Sequence, residues 1–273
     1  LANLVAREMG ANLRVTSGPA IERVGDLASI LTNLTPGDVL FIDEIHRMNK
    51  MVEEVLYPAM ESRTLDIILG KGPSARTIQL DLPPFTLIGA TTRISLLSSP
   101  LRSRFSAGTY RLEFYTEEEI ERILERSAKI LRLPINEDVL ATIASRSRAT
   151  PRIANQLLKR WRDVADIRGK GELTPTLVAE ALSLLAIDEA GLGAEDRKLL
   201  TVLIEKFRGG PVGLGTLATA VSEDAGTVEE VYEPFLIRLG FLDRTSRGRV
   251  ATARAYTHLG FAAPESPQSQ LLS

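Results

Sequence analysis

The run Val39-Leu40-Phe41-Ile42 ends in two adjacent carboxylates, Asp43 and Glu44. Four consecutive apolar residues, two of them β-branched, predict a strand buried on both faces, as in parallel sheets. Ligands of open α/β sheets bind at the carboxyl ends of such strands. ATP hydrolysis needs one carboxylate to hold Mg²⁺, usually through water, and another to polarise the attacking water. Asp43 suits the first role and Glu44 the second. Taken alone, the pair is equally a solvated strand end.

A second run, Phe85-Thr86-Leu87-Ile88-Gly89-Ala90, predicts another buried strand and leads into Thr91-Thr92-Arg93. A hydroxyl at such a strand end could hold the attacking water or the γ-phosphate. Thr92 is favoured, with Thr91 its neighbour, and a Thr-rich turn leaving the core is the alternative. Shortly afterwards comes Pro100-Leu101-Arg102-Ser103-Arg104-Phe105. In ring ATPases a guanidinium from the adjacent subunit neutralises charge on the transferred phosphoryl group, and the planar, permanently charged fork of Arg fits that task. An isolated Arg-x-Arg is ordinarily a surface pair; its place after the Thr-Thr-Arg turn favours the finger.

Pro151 suits the first turn of a helix, which puts Arg152 near the helix start, where backbone amides favour an anion. Arg152 would sense phosphate and couple it to lid movement, or belong to a basic helix face. Arg244, Arg247 and Arg249 surround a Gly turn near the C-terminus. They predict a projecting cationic tip for phosphates, or a turn that keeps the protein soluble.

The elements that must carry these residues alternate in texture. A helix over Leu1–Met9, a strand over Asn12–Ser17 and a helix over Ala20–Leu34 precede the acidic strand, and a helix over Val52–Met60 follows it. Thr64–Leu69 and Arg76–Leu80, around the turn Gly70-Lys71-Gly72-Pro73, predict a hairpin. Alternating strands and helices imply an α/β layer with a parallel sheet. From Thr116 to about Ala186 the pattern is helical, with N-cap signals at Thr116 (Glu119 three later), Asn136 and Thr174. From Glu189 three helices precede a strand pair, Gly240–Arg244 and Arg249–Thr252, the outline of a winged helix. The Pro/Ser/Gln-rich tail after Ala263 predicts disorder.

Bulk properties narrow the classes. The 273 residues suggest two or three domains, and the net charge of −2 excludes a uniformly basic DNA coat, so any nucleic-acid contact must be a local patch. There are no cysteines, and the two histidines, His46 and His258, are far apart in sequence, which argues against a zinc site. No apolar run approaches the ~18–20 residues of a membrane span, and no signal peptide opens the chain, so a cytoplasmic protein is expected.

Together these stretches resemble the RuvB family of AAA+ motors. The resemblance is carried by Thr16-Ser17-Gly18-Pro19, Asp38 to Arg47, Val52 to Glu61, Asp81 to Arg93, Pro100 to Phe105, Arg111 to Tyr115, Thr150 to Asn155, Gly209 to Leu214 and Arg247 to Thr252. It implies a P-loop-type parallel-sheet ATPase domain over 1–113, an all-helical lid over 114–186 and a winged-helix DNA-binding domain over 187–263. It also implies an ATP-dependent translocase, a hexameric ring driving branch migration of Holliday junctions in bacterial recombination and repair. ATP and Mg²⁺ would be its cofactors; double-stranded DNA, RuvA, RuvC resolvase in a larger complex and further copies of itself its partners.

By that resemblance Asp43 and Glu44 are the Walker B pair, Thr92 is sensor 1, Arg104 the finger and Arg152 sensor 2. Tyr115 would line the nucleotide pocket, with Glu61, Ser62 and Arg63 nearby, although Ser62 stands where the family often has Asp. The hairpin would dock RuvA through Leu65, Ile67 and Ile68, or simply pack within its own domain. Three departures stand out. The phosphate-binding loop is absent and would end where Leu1 begins, which suggests truncation. Ala149 replaces a usual Gly, and residues 106–110 differ from the usual loop.

Overall fold

The acidic strand becomes the centre of a parallel sheet. In the computed structural model, which describes residues 1–69, 76–105, 107–168 and 175–263, strands β1 (Leu13–Ser17), β2 (Val39–Asp43) and β5 (Thr86–Gly89) lie in the order β1-β2-β5. The register sets Ser17 beside Asp43 and Ile42 beside Gly89. All three strands therefore end at one edge. Val39, Leu40 and Ile42 are fully buried, as a strand paired on both sides requires.

Helices α1 (Ala2–Glu8), α2 (Val24–Thr32) and α3 (Lys50–Glu61) belong to the same unit, Leu1–Arg111, together with the antiparallel hairpin of β3 (Thr64–Leu69) and β4 (Arg76–Asp81). Short α4 (Ser99–Arg104) closes it. Leu27, Leu31, Leu56, Leu65 and Leu101 meet the sheet residues in one core. Each such buried Leu contributes ~1.5–3 kcal/mol relative to an exposed one.

Two expectations change here. The helix expected over 20–34 starts only at Val24, after a tight turn over Gly18–Ala20. The reason is local: the Asp26 carboxylate accepts from the backbone N–H of Glu22 at 3.1 Å and of Arg23 at 2.9 Å, fixing the helix start there. The strand at 85–90 is not fully buried. Among the described residues β5 pairs only with β2, and Thr86, Leu87 and Ile88 are half-exposed.

The second unit, Leu112–Ser273, holds two cores. Helices α5 (Glu117–Leu131), α6 (Glu137–Arg146), α7 (Pro151–Arg168) and α8 (Pro175–Leu184) surround the fully buried Trp161, Ile120, Leu124 and Leu158. The start of α5 is a reciprocal capping box: Glu119 N donates to Thr116 Oγ1 at 3.2 Å, and Thr116 N to Glu119 Oε2 at 2.9 Å. Asn136 Oδ1 caps α6 through Val139 N. The Thr174 cap, the turn at 70–73 and the tail after Ala263 lie outside the described residues.

The second core belongs to α9 (Ala194–Phe207), α10 (Leu214–Val221), the continuous helical stretch of α11 (Ala225–Thr227), a π turn (Val228–Tyr232) and α12 (Glu233–Arg238), then β6 (Leu242–Thr245) and β7 (Gly248–Ala251). This is a winged helix. Gly248 sits at φ +137°, and a Cβ there would lie 2.3 Å from Val212 O, so the wing turns only with glycine. Like α4 in the first unit, α13 (Ala253–Leu259), capped by Thr252 and ended by Gly260 at φ +75°, was not expected in this core. At seven residues it is too short to announce itself by periodicity.

Candidate nucleotide site and nucleic-acid interface

Three strand ends converge in the first unit. Gly18 follows β1, and a Cβ there would stand 2.4 Å from Glu44 O, so this approach admits only glycine. Asp43 is exposed at the end of β2, and its Oδ1 accepts from Glu44 N at 3.0 Å. Glu44 occupies the left-handed region at φ 47°, a sharp exit from the strand, and its carboxylate pairs with Arg47 at 3.0 Å. The end of β5 is stitched to this exit by Ile45 N donating to Ala90 O and Ala90 N to Ile42 O, both at 3.0 Å.

His46 adds a side-chain link that the sequence did not suggest. Its Nδ1 lies 2.9 Å from Thr91 Oγ1, which also accepts from Arg93 N at 3.0 Å. Thr91 is thereby committed to shaping the turn, and Thr92 stands exposed beside it.

Arg104 is not free in solvent. Its guanidinium stacks 4.3 Å from the Tyr57 ring centroid, donates to Pro100 O at 2.8 Å and pairs with Glu61 Oε1 at 3.0 Å. Tyr57 is held in turn, donating to Glu53 Oε1 at 2.8 Å and meeting Ser98 Oγ at 3.0 Å; Ser98 also bonds Glu53 and caps α4 through Leu101 N. Burial pushes the Tyr57 hydroxyl above its ordinary range, which keeps it a proton donor. Sequence reading missed this network. The i,i+4 spacing of Glu53 and Tyr57 on one helix was its only trace. Glu61, Ser62 and Arg63 are exposed at the end of α3, beside Arg104 through the Glu61 pair.

The chemistry of the donor set decides what cation could bind. Among the described residues no group of three or more His, Cys, Asp or Glu forms a metal cage. Mg²⁺ characteristically keeps several waters and takes one or two carboxylates plus substrate phosphates, so an exposed Asp43 at a strand end fits it.

Tyr115 and Arg152 belong to the second unit. Tyr115 is exposed, and its N–H donates to Ala149 O at 3.3 Å. Arg152 is exposed on the first turn of α7 behind Pro151. Ala149 itself sits at φ 52°, a left-handed position where glycine would be unstrained.

Two expected contacts are corrected. Arg249 does not project from the wing: it is buried, with Nε 2.5 Å from Glu233 Oε1 and Nη2 3.0 Å from Oε2. Strand alternation explains the failure, because every second side chain of β7 points into the core. Leu65 is fully buried in the first unit's core, so it cannot anchor a partner without leaving that core. Ile67 packs partly against the same core, and the side chain of Ile68 lies outside the described residues. Arg244 and Arg247 are exposed at the wing tip, with Arg244 3.2 Å from Glu229.

A parallel sheet with an acidic pair at its carboxyl edge, a helical lid and a winged helix define an ATPase of the AAA+ class. Family comparison carries this further. Residues 1–111 match the Holliday junction DNA helicase RuvB P-loop domain, 115–188 the RuvB AAA lid domain and 189–260 the RuvB C-terminal winged helix domain. The chain is 60% identical to the Holliday junction branch migration complex subunit RuvB of Chloroflexus aggregans, covering 97% of this chain and 75% of that protein. The Chloroflexus aurantiacus subunit is 58% identical over the same shares. Among solved structures, the Thermotoga maritima RuvB Holliday junction branch migration motor superposes with a TM-score of 0.86 at 47% identity, covering 96% of this chain and 83% of that one. The chain belongs to the RuvB family.

Proposed function

We propose that this protein is the ATP-driven motor that moves DNA through Holliday junctions, working as a hexameric ring in the bacterial cytoplasm. The observation that carries the reading is Asp43-Glu44 at the end of the central strand, with Gly18 packed on its exit and Thr92 in the turn that follows the neighbouring strand β5. Mg²⁺ bound with ATP would supply neutralisation of phosphate charge, and Asp43 would hold it; Glu44 polarises the attacking water, and Thr92 orients it. To do so Glu44 leaves Arg47, an exposed pair worth less than ~1 kcal/mol and easily broken.

Arg104 reaches the nucleotide of the neighbouring subunit, with Glu61, Ser62 and Arg63 on the same face, while Tyr115 and Arg152 read nucleotide from the lid. The assignments follow the division 1–113, 114–186 and 187–263. At the wing, Arg244 and Arg247 contact DNA phosphates, which carry no base information, so binding is salt-sensitive and independent of sequence. RuvA docks on the outer part of the hairpin, where Ile67 and Ile78 face the same side and Ile78 is 43% exposed; RuvC joins the larger complex. The test is branch migration of a synthetic four-way junction by the full-length protein and by Glu44→Gln. The variant is expected to bind ATP yet hydrolyse it at least ~100-fold more slowly, with migration lost. Near-normal turnover would remove Glu44 from the reaction.

A further inference from the structure

The lid and the winged helix are joined by a reciprocal clamp. Asp188, at the end of the lid, accepts from Ala190 N at 3.0 Å and Leu192 N at 2.8 Å through Oδ1. Its Oδ2 lies 2.9 Å from His258 Nε2 on α13 and 3.5 Å from Arg197 Nη1 on α9. In the opposite direction, Arg148 of the lid reaches into the winged helix. Its Nη2 pairs with Asp196 Oδ2, and its Cζ lies 4.6 Å from the Phe235 ring centroid.

Asp196 is completely buried in the first turn of α9. Its Oδ2 also accepts from Gly193 N at 2.8 Å, and its Oδ1 has no partner among the described residues. Bonding the N-cap amide of α9 needs a hydrogen-bond acceptor at this position, not a buried charge, and the amide oxygen of Asn would supply one. A buried charge is costly, and its best-attested use is to specify one arrangement of parts. Desolvation pushes the Asp196 carboxyl upward, and the Arg148 guanidinium is the main influence holding it down.

The backbone that presents Arg148 is equally unusual. Arg148 and Ala149 occupy the left-handed region at φ 54° and 52°. Consecutive non-glycine residues there persist only where the surroundings over-determine them, and such strain gathers at switch segments. Ser147, fully buried, fixes one side of this turn, and Thr150 closes the other by donating to Ser147 O at 3.2 Å. The next residues are Pro151 and Arg152, the start of α7. Ala149 O accepts from Tyr115 N. One short strained turn therefore connects both lid residues assigned to nucleotide with the buried acid of the winged helix.

We propose that Arg148 is a positioning residue that transmits the nucleotide state read at Arg152 to the DNA-contacting winged helix through Asp196. The inference rests on the motor reading above, with Arg152 at nucleotide and the wing on DNA. A displacement of the α7 start shifts Arg148, and the rigid pair carries α9 with it. By reciprocity, DNA on the wing biases the turn that holds Arg152.

The test compares full-length protein with the double variant Arg148→Met, Asp196→Asn. It removes both charges together, keeps an acceptor for Gly193 N and leaves an unbranched stem over Phe235. Four quantities are read: thermal stability, kcat and KM for ATP without DNA, affinity for duplex DNA, and the fold-stimulation of ATPase by that DNA. Linked sites are ordinarily coupled by ~5- to 150-fold. The variant is expected to keep basal kcat, KM and DNA affinity within ~2-fold while stimulation falls at least ~5-fold. Undiminished stimulation overturns the inference and leaves the motor reading standing. Stability, basal turnover and affinity falling together also overturn it, because the pair would then be scaffold alone. A wild-type protein whose ATPase ignores DNA sinks the motor reading itself, and the inference with it.

Discussion

Replacing Arg249 by Met separates packing from DNA contact at the wing. Glu233 is 1% exposed and holds two of the three guanidinium nitrogens, so removing the arginine strands a carboxylate in the core. Breaking a buried pair from one side costs about 3–5 kcal/mol, and a unit of this size loses roughly 2–4 °C of Tm per kcal/mol, giving a fall of about 6–20 °C. Removing both charges, with Arg249→Met and Glu233→Leu, is expected to return most of that loss, because well-packed apolar replacements of buried pairs are often neutral or better. Circular dichroism gives Tm, and fluorescence anisotropy over a salt series gives the slope of DNA affinity. Arg247→Ala should lower that slope by about one and leave Tm unchanged, since Arg247 is exposed at the tip. The double variant should leave the slope alone. An Arg249→Met protein with unchanged Tm and a reduced slope would refute the reasoning and put Arg249 on the phosphates.

Ala149→Gly relieves a left-handed strain of ~1–2 kcal/mol and adds ~0.5–1 kcal/mol of unfolded-chain entropy. A net stabilisation of ~0.5–1 kcal/mol is expected, measurable by chemical denaturation, and a loss of stability would show that the turn relaxes around alanine at no cost. Thr35 N and the Asn12 amide hold the Asp38 carboxyl below its usual range. A depressed folded pKa contributes stability above the unfolded value and loses it as pH falls through the folded one. The stability difference between wild type and Asp38→Asn should therefore be constant at neutral pH and shrink only below pH 3.8, whereas a difference that shrinks between pH 5 and 7 would exclude this cause.

The parts of the site that were legible in sequence are those set by one element's own ending. An apolar run closing in Asp43-Glu44, a strand closing in Thr91-Thr92 and a Pro-started helix carrying Arg152 each announce a position without reference to any other element. What stayed hidden depends on which face a side chain takes and on what it meets across the fold. Arg249 and Arg247 look alike around Gly248, yet Arg249 lies in β7 on the face turned to the core, while Arg247 lies in the turn before the strand and is exposed. Leu65 could be read as a docking anchor only because the hairpin's inner face is fixed by packing on α3 and the sheet, not by its own sequence. Among the described residues β5 pairs with one neighbour and is half-exposed, which its apolar composition does not encode. Links such as His46 with Thr91 and Arg148 with Asp196 join residues 45 and 48 positions apart, beyond any local pattern.

Catalysis shared between neighbouring subunits is tested most directly by mixing two dead proteins. Full-length Glu44→Gln retains its Arg104, and full-length Arg104→Ala retains its Glu44. Each alone should turn over ATP at least ~100-fold more slowly than wild type. Equimolar mixtures in one ring should recover a clear fraction of wild-type ATPase, because some interfaces then combine an intact acid with an intact guanidinium. Mixtures no faster than the separate variants, in rings shown to contain both, would mean that residues 44 and 104 do not serve the same nucleotide across a subunit boundary.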